Sequence, residues 1–135
     1  MDIFEKVKNL NLPLGEYLIA GSGPMAARSI RDYKDIDILV TERLYEKLKK
    51  DDWEIVEVDG VNDKFEVLKK DKYEAGKNLW FGDYRPNSEF LITNAEIING
   101  IPFLPLPELV KFKKALGREK DLKDIKLIED YLNNK

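Results

Sequence analysis

YLIAGSGPMAARSIRDYKDIDILV, running from Tyr17 to Val40, is the stretch around which the rest of the chain is read. Tyr17-Leu18-Ile19-Ala20 is a short apolar run stopped by Gly21-Ser22-Gly23, the pattern of a buried strand ending in a tight turn. Pro24 suits the first position of a helix, where its fixed φ and missing N–H cost nothing. Met25, Ala26, Ala27 and Ile30 can pack while Arg28 and Arg31 extend outward, so the spacing predicts a helix ending near Asp32. Asp35-Ile36-Asp37-Ile38-Leu39-Val40 alternates and is rich in β-branched residues, which predicts a second strand.

That alternation carries the chemistry. Side chains switch faces at every residue of a strand, so Asp35 and Asp37 share one face while Ile36, Ile38 and Val40 share the other. At a rise of roughly 3.3 Å per residue the two carboxylates sit about 7 Å apart. Holding both ionised is unfavourable unless something positive lies between them. Mg²⁺ is the usual answer, because it takes one or two carboxylates and leaves its other positions to water and phosphate oxygens. The glycine turn supplies the matching half, since small residues admit a close ligand and the N–H groups opening the Pro24 helix point at any anion bound there. Asp-x-Asp by itself is a weak motif, shared by glycosyltransferases, calcium loops and plain exposed strand edges.

A Gly-Ser pair at 21 and 22, twelve intervening residues, then Asp35-Ile36-Asp37 resembles the signature of the nucleotidyltransferase superfamily, whose fold is that of DNA polymerase beta. The tail is similar as well. Asn99-Gly100-Ile101-Pro102-Phe103-Leu104, followed by Leu109, Lys113 and Gly117-Arg118-Glu119-Lys120-Asp121-Leu122-Lys123-Asp124-Ile125, resembles the closing segment of small bacterial and archaeal minimal nucleotidyltransferases. The middle of the chain matches only loosely. The resemblance implies an α/β fold, a mixed β-sheet flanked by helices in a single domain. It implies that Gly21 and Ser22 hold a nucleoside triphosphate, that Asp35 and Asp37 bind Mg²⁺, and that a nucleoside monophosphate passes to a hydroxyl acceptor. That acceptor is left open among a small molecule, a protein hydroxyl and an RNA end.

Active members of the superfamily complete the metal site with a third acid on a neighbouring strand. Glu74 is the candidate, on a short strand just before Gly76; Glu57, Glu66 and Asp59 compete, and each suits a plain solvent-facing position as well. Arg28, Lys113 and Arg118 are the cations expected to neutralise phosphate charge. Lys113 falls inside the apolar arc that Leu109, Val110, Phe112 and Leu116 form at 100° per residue, so it needs a partner or snorkels at the core margin. For Arg118 the alternative is pairing with Glu119 or Asp124.

Composition bounds these readings. At 135 residues the chain holds one domain and at most one active site. Its 23 basic and 26 acidic residues leave a net charge of −3 and no polybasic footprint for nucleic acid. The chain has no cysteine and no histidine, which excludes disulfides, thiolate catalysis and the usual zinc ligand and general base. No apolar run is long enough to span a bilayer and the acidic start is unlike a signal peptide, so a cytoplasmic protein with no membrane contact is expected.

Around the central unit, Ile3, Phe4, Val7 and Leu10 predict a first amphipathic helix, and Thr41 caps another from Glu42 to Lys50. Residues 53–58 and 64–68 predict a hairpin across Asp59-Gly60-Val61-Asn62-Asp63. Gly82 to Asn87 reads as an exposed loop, followed by a short helical turn from Ser88. Asn99-Gly100 joins two small strands. Gly117 ends the helix that starts after Pro105 and Pro107, and Asp121 is expected to cap a last helix, Leu122 to Leu132, with Leu122, Ile125, Ile128 and Leu132 inward. Two rival functions remain: a non-catalytic member of the same fold that binds nucleotide or a partner protein, antitoxin-like, and a metal-dependent glycosyltransferase, for which the chain is small.

Overall fold

The computed structural model describes residues 2–60 and 64–134; Val61, Asn62 and Asp63 of the expected Asp59–Asp63 turn lie outside them. In chain order the elements are α1 (Ile3–Lys8), β1 (Tyr17–Ala20), α2 (Gly23–Ala26), β2 (Ile36–Val40), α3 (Glu42–Lys50), β3 (Glu54–Asp59) and β4 (Lys64–Lys70). There follow β5 (Tyr73–Gly76), α4 (Ser88–Thr93), β6 (Glu96–Ile98), β7 (Ile101–Phe103), α5 (Leu106–Leu116) and α6 (Glu119–Asn133). The strands form one mixed sheet in the order β3-β4-β5-β2-β1-β7-β6. The β2–β5 and β1–β7 pairs are parallel and the other four antiparallel. The molecule is a mixed α/β fold with helices on both faces of the sheet, and no helix among the described residues is long and apolar enough to cross a membrane.

The centre of the sheet is buried on both sides, which is why β1 reads as a continuous apolar run rather than an alternating one. Tyr17 and Ile19 pack with Ile36, Ile38 and Val40 of β2 against Ile3 and Val7 of α1 and Leu44 and Leu48 of α3. Leu18, Ala20 and Leu39 point the other way, onto Leu91 and Ile92 of α4, Leu106 and Leu109 of α5 and Ile128 of α6. Asp37 belongs to this second face, at the end where the helices stop covering the sheet.

Local rules placed most boundaries where the residues suggest. Thr41 caps α3 by accepting from the Leu44 N–H at 3.2 Å, and Gly117 closes α5 in the left-handed region at φ +63°. Two expectations are corrected. The helix after Pro24 ends at Ala26 rather than near Asp32: Ser29 takes φ +57° and the Ser29 and Ile30 N–H groups fold back to Ala26 O and Met25 O at 3.0 and 2.9 Å. The last helix begins at Glu119, with Arg118 as its N-cap and Asp121 inside the first turn, reaching back to accept from the Arg118 N–H at 3.1 Å. That register buries Asp121, Asp124, Ile125 and Ile128 and leaves Leu122 56% and Leu132 40% exposed, against the expected inward placement of both leucines.

Candidate functional site

Asp37 sits where three strands meet in register. It is the partner of Ala20 across the antiparallel β1–β2 pair and of Glu74 across the parallel β2–β5 pair. Registered neighbours point to the same face of a sheet, and adjacent strands run about 4.8 Å apart, so the Asp37 and Glu74 carboxylates stand side by side above the second face. Gly21 follows Ala20 with φ +61°, a conformation that favours glycine. A Cβ there would overlap Asp37 Oδ2 and lie 3.0 Å from its Cγ, so the missing side chain is the space the carboxylate occupies.

No described residue donates a hydrogen bond to Asp37, and none of its oxygens is sealed from the surrounding cavities. Burial, and then the negative charges of Glu74 and Asp35, push its carboxyl up to about 6, against the smaller opposing pull of Lys113 and Lys69. Glu74 is half-buried, with Lys69 Nζ 3.5 Å from Oε1. Asp35 lies one residue before β2 and is exposed, because pairing with β5 begins where the Ile36 N–H donates to Lys72 O at 2.9 Å.

Two cavities open beside this centre and share Gly21, Asp37 and Phe112. The larger, about 470 Å³, is polar: Ser22 and Asp35 line it with Lys34, Lys113, Arg118 and Lys120. The smaller, about 230 Å³, is lined by Glu74 and by the rings of Phe65, Trp80, Phe81 and Phe112. Of the residues singled out in the sequence, the structure therefore gathers Gly21, Ser22, Asp35, Asp37, Lys113 and Arg118 around one cavity and puts Glu74 on the far side of Asp37. Arg28 lines neither: it is paired with Glu96 and donates to Pro24 O at 3.3 Å.

The competing acids are placed elsewhere. Glu66 accepts from Tyr45 Oη at 2.7 Å and pairs with Lys49 at 3.1 Å on the α3 side of the sheet. Glu57 pairs with Lys64 at the sheet edge, and Asp59 lies at the rim of the smaller cavity.

Lys113 has the partner its position demanded. Its Nζ donates to Asp124 Oδ2 at 2.8 Å and lies 3.9 Å from Asp121 Oδ1. Arg31 grips the same Asp124 through Nε and Nη2 at 2.8 and 2.9 Å, and Arg118 grips Asp121 through Nε and Nη2 at 2.6 and 3.1 Å. Burial alone would push both carboxyls up. For Asp121 the Arg118 hydrogen bonds and the charges of Arg118 and Lys113, and for Asp124 the hydrogen bonds from Arg31 and Lys113, hold them below the usual range. The pairing of Arg118 with Asp121, three residues on, replaces the Glu119 or Asp124 pairing read from the sequence.

Sequence reasoning missed Arg31, for which no local signal exists, since its partner lies 93 positions away. It also missed the aromatic cavity, although the alternation of Phe65 and Val67 in β4 carried part of that signal.

The donor set fits a magnesium ion brought in with phosphate oxygens better than a resident metal cage. Asp37 and Glu74 offer hard oxygen ligands side by side, and among the described residues Asp37 has no donor and no three acidic side chains converge tightly enough to enclose an ion unaided. Compared with protein-family models, curated proteins and solved structures, the chain matches none.

Proposed function

We propose that the protein is a magnesium-dependent nucleotidyltransferase that passes a nucleoside monophosphate from a nucleoside triphosphate to a hydroxyl. The observation that carries this reading is the registered pair Asp37 and Glu74 on parallel strands, packed against a side-chain-free turn at Gly21, with no donor to Asp37 among the described residues. Asp37 and Asp35 would hold Mg²⁺ from the polar cavity and Glu74 from the other side. When bound, the ion supplies charge neutralisation at the phosphates and lowers the barrier to deprotonating the attacking hydroxyl.

The chain's own residues supply position and proton transfer. Gly21 and Ser22 admit the triphosphate along the turn, and the Lys34, Lys113, Arg118 and Lys120 side of the polar cavity attracts its charge. The acceptor oxygen attacks the α-phosphorus, a new P–O bond forms, and the bond to the bridging oxygen breaks to release pyrophosphate. Glu74 receives the hydroxyl proton. Arg28, tied to Glu96 outside both cavities, takes no part in this scheme.

One observation favours a second reading. Lys113 and Arg118, two cations expected at the triphosphate, are already committed to Asp124 and Asp121. A protein of this fold that binds nucleotide, or a partner protein, without turnover needs fewer free cations. Calorimetric titration with Mg–ATP, paired with a pyrophosphate-release assay over hydroxyl compounds, separates the two. Metal-dependent binding lost in Asp37→Asn together with pyrophosphate release supports the transferase; metal-dependent binding with no release under any acceptor supports the binding protein. No binding to wild type overturns both nucleotide readings.

A further inference from the structure

The two cavities differ in the sign of their charge as well as in lining. Among the described residues, six lysines and arginines, Lys34 and Lys120 among them, and four aspartates line the polar side, a net positive excess. Among the described residues, the charged groups lining the aromatic side are all acids: Asp37, Asp59 and Glu74. A polyphosphate is drawn to the first and repelled by the second. Glu74, the carboxylate placed to take a proton, faces only the second. Whatever occupies the aromatic cavity therefore meets Glu74 directly and reaches Asp37 from the side opposite the triphosphate.

Resting on the transferase reading, we propose that this cavity is the acceptor subsite and that the acceptor is a small molecule carrying its hydroxyl on a flat, apolar ring, either neutral or positively charged. The lining is built in advance. Trp80 is fixed by a hydrogen bond from Nε1 to Pro86 O at 2.9 Å, by the Arg85 guanidinium 5.1 Å from its ring, and by Phe65 edge-on at 6.5 Å. Phe112 is held against Tyr84 at 5.7 Å, and Tyr84 Oη in turn donates to Glu108 at 3.1 Å. Rings immobilised before binding lose little entropy when a ligand ring packs on them. At about 230 Å³ the cavity is smaller than the roughly 300–1,000 Å³ of sites for drug-sized ligands, and holds one or two rings. An RNA end would bring phosphates against three carboxylates, and the acidic rim instead favours an amine beside the ring.

The test is calorimetric titration of the full chain with tyramine, with adenosine and with Mg–ATP, repeated on Trp80→Leu and Gly76→Ala, with circular dichroism reporting the folding of each variant. A Cβ at Gly76 would lie 3.5 Å from Val67 Cγ1, an ordinary contact, so Gly76→Ala narrows the cavity and keeps the strand. Tyramine is expected to bind wild type with or without Mg–ATP present and to weaken about tenfold in Trp80→Leu and by a smaller factor in Gly76→Ala, with Mg–ATP affinity unchanged. Mg–ATP binding without tyramine binding, or tyramine binding that neither variant changes, overturns the acceptor assignment and leaves the transferase reading standing. Displacement of tyramine by adenosine gives the cavity to the nucleobase and overturns the assignment likewise. Tyramine binding to a wild-type protein that takes no Mg–ATP removes the transferase reading, and the acceptor assignment with it.

Discussion

Asp37 and Asp124 both line the polar cavity, and both are carboxylates withdrawn from water, yet their surroundings are opposite. Asp124 is held by Arg31 and Lys113 and is kept ionised below the usual range. Asp37 receives no hydrogen bond from the described residues, faces Glu74 and Asp35, and is pushed up to about 6. Among the described residues, three cations hold Asp121 and Asp124 and none makes contact with Asp37. Internal pairing makes the first cluster a structural tie between α5, α6 and the loop after α2. The second is left with electrostatic repulsion that the proposed cation would relieve.

The comparison breaks most visibly at the tie. Asp124→Ala leaves Lys113 buried without its nearest anion and Arg31 without its bidentate partner, and is expected to lower stability by about 3–4 kcal/mol. Urea denaturation measures this, with the slope unchanged if the native fold is kept. A loss under 1 kcal/mol would mean that Asp121 takes over both cations and that the cluster is redundant.

Asp37→Asn should move stability in the opposite direction. The folded carboxyl titrates near 6 against 3.8 in the unfolded chain. The stability it contributes is complete below 3.8 and is lost as pH rises through 6, so at pH 7 its ionisation costs about 2–3 kcal/mol. Removing the charge should therefore stabilise the protein by about 2 kcal/mol at pH 7 and by almost nothing at pH 4, while Mg–ATP affinity falls at least tenfold. The tie titrates in a separate window: Asp121 and Asp124 are depressed, so their contribution is present above 3.8 and disappears only as pH falls through their lower folded values. Denaturation curves of wild type and Asp37→Asn at pH 7, 5 and 3 separate the two. Equal destabilisation of the variant at every pH would show Asp37 to be a packing group.

Gly21→Ala should act between the two regions. The added Cβ meets the Asp37 carboxylate and the backbone is in the left-handed region, so a cost of about 1–2 kcal/mol is expected, with Mg–ATP affinity falling as Asp37 is displaced. Unchanged affinity with the full stability cost would confine the glycine's role to the turn.

How far these features were readable beforehand follows from their range in sequence. The Tyr17–Ala20 strand, the glycine turn, the Thr41 cap and the Gly117 stop are set by neighbours within four residues and stand where the residues place them, whereas the second strand begins at Ile36 and leaves Asp35 just before it rather than on a strand face shared with Asp37. Glu74 could be named only as one acid among four, because its pairing with Asp37 depends on which strand inserts beside β2. The partner of Lys113 was demanded by its place in the apolar arc, but Asp124 as that partner follows from how α6 folds back on α5. The helix after Pro24 stops short of its expected end near Asp32 because Ser29 in the left-handed region turns the chain, which the spacing of Met25, Ala26, Ala27 and Ile30 does not signal, and brings Arg31 toward Asp124.

The smallest expected effect tests the register of α6. Apolar spacing puts Leu122, Ile125, Ile128 and Leu132 on one side, and a helix docked by that stripe would bury Leu122. In the structure the helix is turned so that Asp121 and Asp124 face Lys113, and Leu122 is left 56% exposed. Two buried ion pairs thus outweigh one leucine in choosing the face that docks, consistent with the high cost of stranding a buried charge beside the roughly 1.5–3 kcal/mol of burying a leucine. Leu122→Ser should then change stability by less than about 0.5 kcal/mol. Ile125→Ala, at 7% exposure on the docked face, should cost about 2–4 kcal/mol. Parity between the two variants in urea denaturation would mean that α6 docks by its leucine stripe, and that the Lys113–Asp124 pair does not set its rotation.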